Sequence, residues 1–340
     1  MTSNLRLSVL DQAVIPTGGS LRQVVENTVQ LAQATEAMGY HRYWVAEHHF
    51  TSVFASCAPE LLVSMIAAAT KTIRVGSGGV LLRHYSPFKV AETFQWLNAC
   101  YPNRIDLGIG RSTGSNDPTA DALAYHKTVN DEGFLEKLKQ LKSWASDESV
   151  ASEDVPAADK AKTVSTSFGA GGDLPVWLLG SSESSAKVAA QDRLNYTFAH
   201  FINPHVSEQA MATFHGNHFS DAEKTSSHAA LAIVAYCADT EEEAEALGYC
   251  RKIWALNAFK GNIMRWPSIE EAANHPLTEQ DKVIIAGFSD YVITGTPQKL
   301  QARFLDLAEC HGVDELIILS NCHNSAHRQR SFQLLADTLL

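Results

Sequence analysis

The stretch YWVAEHHF, Tyr43 to Phe50, places an acid and two adjacent histidines at the end of an apolar run. Glu47, His48 and His49 could bind a metal, exchange protons, or only satisfy backbone groups in a loop. Neighbouring residues at a strand end point to opposite sides, so His48 and His49 do not converge on one ion. The i, i+4 histidine pair of a helical zinc site, H-E-x-x-H, is absent, and no metal is expected. Two readings stay open. In one, a histidine faces a pocket while the other, or Glu47, supports the loop. In the other, all three only pack at a rim.

RVGSGGV, which contains Gly78 and Gly79, is a second candidate. Two glycines at a strand end remove side chains where a flat ligand could approach the backbone. A bulge or tight corner would call for the same residues. A third is LLGSSESSA, in which Gly180 ends an apolar run and Ser181 and Ser184 open a helix. N–H groups at a helix N-terminus attract anions, and serine hydroxyls add donors. Arg111 could supply a guanidinium fork matched to phosphate. Plain N-capping by Ser181 or Ser182 is the alternative. His215 and His218 in HGNH read as solvated histidines. Cys322-His323 with His327 lacks a nucleophile elbow or oxyanion motif and reads as rim packing.

Short β-rich runs alternating with helical patterns must position these groups. Strands are expected at Leu5–Leu10, Arg42–Ala46, Ile73–Gly79, Arg104–Gly110, Leu174–Gly180, Asn195–His200, Ala229–Ala238 and Glu315–Ser320. Between them lie amphipathic segments with recognisable ends. Ser20 and Gln23 form a capping box, Pro59 and Pro297 sit in first turns, and Gly39 and Gly312 suit left-handed stops. Eight strand–helix units close into a (β/α)8 TIM barrel more readily than into an open doubly wound sheet. The chain is expected to form a single domain over 1–340. Excursions are expected at 145–173, after strand four, and at 260–291, after strand seven. Barrel chemistry sits at the C-terminal strand ends, where Glu47, His48, Gly78, Gly79, Arg111, Gly180 and Ser181 all fall. Polar residues after strands six and eight, His200, Asn203, Asn321, Cys322 and His323, are expected at the same rim.

The composition narrows the function classes. The 340 residues are 45% hydrophobic, with 27 basic and 38 acidic side chains and a formal net charge of −11. That balance argues against non-specific nucleic-acid binding. The N-terminus is too polar for a signal peptide, and no apolar run approaches the roughly 20 residues of a membrane helix. Six scattered cysteines without a C-x-x-C pair fit reduced thiols in a cytoplasmic setting.

Together, YWVAEHHF, IRVGSGGVLLRHYSP, NRIDLGIGRSTGS, PVWLLGSSESSA and TGTPQKLQARFLDLAECHGVDELII resemble the bacterial luciferase-like flavin monooxygenases in order and spacing along nearly the whole chain. The resemblance implies a barrel that binds reduced FMN at its C-terminal rim, supplied by a separate flavin reductase. It implies a C4a-peroxyflavin that oxidises a small organic substrate, and a homodimer. Residue by residue, Gly78–Gly79 matches a cis peptide behind the flavin ring. Arg111, Ser181 and Ser184 match phosphate-binding positions, and His48 matches a histidine at the reactive face. Gly180 stands where luciferase has an acidic residue. Gly110 stands where light-emitting relatives carry a cysteine, which argues against bioluminescence. A dehydrogenase using the deazaflavin F420 and a non-catalytic flavin-binding protein are the alternatives. Oxygen chemistry of this kind needs a dry, closable pocket, and 145–173 is a candidate cover.

Overall fold

A computed structural model of the chain describes residues 5–49, 52–112, 117–123, 131–146, 174–216 and 227–340. In chain order the elements are β1 (Arg6–Asp11), α1 (Leu21–Ala37), β2 (Arg42–Val45), α2 (Pro59–Ala69), β3 (Arg74–Leu81), α3 (Pro87–Cys100), β4 (Ile105–Gly110), α4 (Asp117–Leu123) and α5 (Asp131–Ala145). There follow β5 (Val176–Gly180), α6 (Glu183–Gln191), β6 (Asn195–Ala199), α7 (Ser207–Gly216), β7 (Ala229–Cys237), α8 (Glu241–Phe259), α9 (Ile269–Ala273), α10 (Glu279–Gly287), β8 (Ile293–Gly295), α11 (Pro297–His311), β9 (Glu315–Leu319) and α12 (Ser325–Leu339).

Eight strands pair in parallel and close on themselves. β1 to β6 follow in order, β6 pairs with β7, β7 with β9, and β9 with β1. Because the strands are buried on both faces, they read as apolar runs rather than as alternations. The architecture is the expected (β/α)8 barrel. β8 is an addition: three residues that pair only with the end of β7, outside the closed ring. Of the segment expected to leave the scaffold after β4, all but Ala145 and Ser146 lies outside the described residues. The region expected to leave it after β7 contains α9 and α10.

The N-terminal end of the barrel is plugged by charge. Arg42 bonds Asp106 and Glu315, each at 2.6 Å, and lies over the Trp177 ring at 4.5 Å. Arg74 adds a second cation to Asp106. Two guanidiniums therefore face two carboxylates. Burial would raise the Asp106 pKa, but Arg42 and Arg74 outweigh it and hold the group below its ordinary value. A fully paired cluster at the N-terminal face serves stability. It leaves the other end for chemistry.

Candidate active site

At the C-terminal end the strands open into a cavity of about 690 Å³, lined by His48, Gly78, Gly79, Arg111, Gly180, Ser181 and Ser184 among others. Its apolar lining includes Leu10, Ala46, Leu81, Leu178, Ala199 and Ala232. That volume lies within the ordinary range for one small-molecule ligand.

The loop after β2 resolves the roles of its three polar residues. Glu47 is buried. Its carboxylate accepts from the Leu81 amide at 3.0 Å, from the Tyr85 hydroxyl at 2.7 Å and from His49 Nε2 at 2.6 Å. Glu47 and His49 therefore clamp the loop to the end of β3. His48 is the histidine that faces the cavity. Its ring stacks on Phe54 with centres 4.1 Å apart, and its buried Nδ1 has no hydrogen-bond partner among the described residues. Burial, then the charges of His49 and Arg251, lowers its pKa from 6.5 to about 4. The imidazole is neutral at pH 7.

The glycine corner is also the bulge that the sequence allowed. The Gly78–Gly79 peptide is cis, as the resemblance implied. Pairing with β4 steps from Ser77–Leu107 to Val80–Ile109, so two β3 residues oppose Gly108 alone. A Cβ on Gly79 would lie 2.7 Å from Gly108 backbone atoms, and one on Gly78 2.6 Å from Leu10 Cδ1. The crowding of neighbouring strands thus demands glycine before any ligand is considered. The bulge and the ligand-facing corner are one feature.

The phosphate candidates separate into capping and free groups. Ser182, not Ser181, caps α6, and its side chain accepts from the Ser185 amide. Ser185 Oγ is spent on the Ser182 carbonyl and on Tyr196 Oη. Ser181, Ser184 and Arg111 all line the cavity. A Cβ at Gly180 would sit 2.1 Å from Ser185 Oγ, so an acidic side chain there is incompatible with this serine packing. Among groups not foreseen, Thr197 on β6 lines the cavity with a buried Oγ1 that has no partner among the described residues. Its only sequence signal is a hydroxyl among apolar strand residues. Gln12 also lines the cavity, and its Oε1 accepts from Asn321 Nδ2 at 2.8 Å.

Other expected rim residues fall elsewhere. His200 lies edge-on to His311 with ring centres 5.9 Å apart, and Asn203 donates to the Ser181 carbonyl at 3.3 Å. Neither lines the main cavity. Cys322, His323 and His327 line a separate hollow of about 240 Å³. Burial pushes the Cys322 thiol up to about 12, which disarms it as a nucleophile. His215 Nε2 bonds the His311 carbonyl at 3.1 Å, while His218 lies outside the described residues. No helix among the described residues is long and apolar enough to cross a membrane.

Comparison with known proteins places the chain. Residues 5–315 match the family model for luciferase-like monooxygenases. The uncharacterized protein YceB of Bacillus subtilis (strain 168) is 40% identical over 336 residues, covering 99% of this chain and 100% of that protein. The N-acetyl-S-alkylcysteine monooxygenase of the same organism is 35% identical over 342 residues, covering 99% and 98%. The crystal structure of apo-MsnO8 superposes with a TM-score of 0.88 at 33% identity, covering 99% of both chains. With its closed barrel and a matched span from β1 to β9, the chain belongs to the luciferase-like monooxygenase family.

Proposed function

We propose that the chain is a monooxygenase that takes reduced FMN from a separate flavin reductase and uses O2 to oxidise a small organic substrate. The observation that carries this reading is the convergence of His48, the Gly78–Gly79 corner, Arg111, Ser181 and Ser184 on one cavity. The cavity lining combines apolar side chains with guanidiniums and hydroxyls, which suits a flat ring with a phosphate tail. FMN, when bound, would supply the electrons that activate oxygen. Arg111, Ser181 and Ser184 would hold its phosphate, with Arg111 contributing the charge. Leu10, Ala46, Leu178 and Ala232 would keep water from the ring.

His48 would stand at the reacting centre as a neutral imidazole, able to accept a hydrogen bond at one nitrogen and donate at the other. Thr197 Oγ1 would offer a donor from the opposite strands. We further propose a single domain over 1–340. Leu61 and Met65 on α2 and Trp96 on α3 are exposed apolar residues on neighbouring helices. They would form a homodimer interface.

The F420 reading is answered by anaerobic titration. Purified protein mixed with reduced FMN, oxidised FMN and F420 should bind reduced FMN most tightly. Preference for F420 would overturn the proposal. Tight FMN binding with no substrate oxidation under any electron supply would favour a binding protein instead.

A further inference from the structure

Beyond the main cavity, one half-buried cation stands against aromatic rings. Arg251 on α8 lies with its guanidinium carbon 4.8 Å from the Trp254 ring centre and 6.0 Å from that of Trp266. Nη1 is closed off from solvent, with no hydrogen-bond partner among the described residues. Among the described residues no carboxylate pairs with it, in contrast to Arg42, which has Asp106 and Glu315, and Arg328, which has Asp11. Burial lowers the Arg251 pKa, and the only neighbour opposing that shift is Tyr236. Nearby, Tyr236 Oη and Trp266 Nε1 are also buried without partners.

The position connects to the reactive corner through a run of rings. Trp254 stacks on Trp266 at 5.6 Å and meets Phe54 edge-on at 5.8 Å. Phe54 in turn stacks on His48 at 4.1 Å. Aromatic faces attract a guanidinium but leave its N–H donors unsatisfied. Arg251 is half-buried, but an Nη1 closed off without a partner costs free energy, and an apolar residue of similar volume would serve packing better. An anion that arrives with a ligand removes that conflict. One guanidinium between aromatic walls matches a monoanion, whereas a dianionic phosphate would keep an unmatched charge.

We propose that Arg251 anchors a carboxylate of the substrate, with Trp254 and Phe54 as the apolar wall along which the rest of the molecule reaches His48. This rests on the monooxygenase reading and names its substrate class: small apolar molecules that bear one carboxylate. Arg251 binds and orients. It does not exchange protons.

The test compares benzoate with benzamide and hexanoate with hexanamide, using full-length protein. Binding is followed by tryptophan fluorescence and thermal shift in the parent, Arg251→Met, Arg251→Lys and Arg111→Ala. At least one carboxylate should bind tenfold or more tightly than its amide in the parent and in Arg111→Ala. Arg251→Met should abolish the preference, and Arg251→Lys should keep part of it. Without ligand, Arg251→Met should have a thermal midpoint equal to or above the parent's. FMN affinity should stay within twofold. The proposal is overturned if no carboxylate outbinds its amide, or if the preference survives in Arg251→Met. It is equally overturned if that variant has a lower ligand-free midpoint, which would make the guanidinium structural, or loses tenfold in FMN affinity, which would assign it to the cofactor. Failure of the monooxygenase reading would appear separately, as absence of FMN binding by the parent.

Discussion

Replacing His48 by phenylalanine should make the protein more tolerant of acid. The substitution keeps a ring on Phe54 and removes the titrating group. In the unfolded chain His48 takes up a proton near pH 6.5, but in the folded chain only near 4, because burial and the charges of His49 and Arg251 oppose it. The unfolded state therefore binds more protons between these values. Its contribution is whole above pH 6.5 and is lost as pH falls toward 4. At ~1.36 kcal/mol per unit, the displacement from 6.5 to about 4 amounts to about 3 kcal/mol, of which about 2 kcal/mol is lost by roughly pH 5. Urea unfolding of parent and His48→Phe at about pH 7.5 and 5 measures this directly. The parent should lose about 2 kcal/mol more than the variant on acidification. His200, lowered to about 4 by burial and by His311, titrates in both proteins and cancels. Equal losses in the two proteins would refute the account of His48 as a buried neutral imidazole.

Arg111→Ala should weaken reduced FMN binding about tenfold, the lower end expected for lost hydrogen bonds to a charged group at a partly exposed residue. Anaerobic fluorescence titration checks this, and unchanged affinity would remove Arg111 from the phosphate site. Glu47→Ala strips the acceptor from the Leu81 amide, Tyr85 and His49. It should destabilise the fold by about 3 kcal/mol in urea unfolding, whereas a loss under about 1 kcal/mol would mean that the loop does not depend on this clamp. Combining Leu61→Asp with Met65→Asp should convert a dimer to monomer in sedimentation velocity. A variant that sediments as the parent does would place any interface elsewhere.

The barrel was legible because each strand is a β-rich apolar run bounded by a cap or a glycine, as at Ile105–Gly110. β8 was not, since three residues, Ile293–Gly295, carry no period and pair only with the end of β7. The rule that chemistry gathers at C-terminal strand ends sorted most of the site, yet it could not say which histidine turned inward. That choice rests on Glu47 engaging His49, a contact fixed by the end of β3 rather than by local sequence. The same rule over-counted: Asn321 and Cys322 follow β9 but look into a different hollow. Gly78 and Gly79 could be read as a ligand-side corner or as a bulge; the bulge is there, and the crowding behind it comes from β1 and β4. Arg251 was invisible in sequence, because a lone arginine on a long helix reads as solvated until its surroundings are known.

The most direct test of the central claim is a crystal structure of the protein soaked anaerobically with FMN. The account predicts the ring against the Gly78–Gly79 corner, with the phosphate within hydrogen-bonding distance of Arg111, Ser181 and Ser184. A phosphate bound at Arg251, or a ring outside the 690 Å³ cavity, would contradict it.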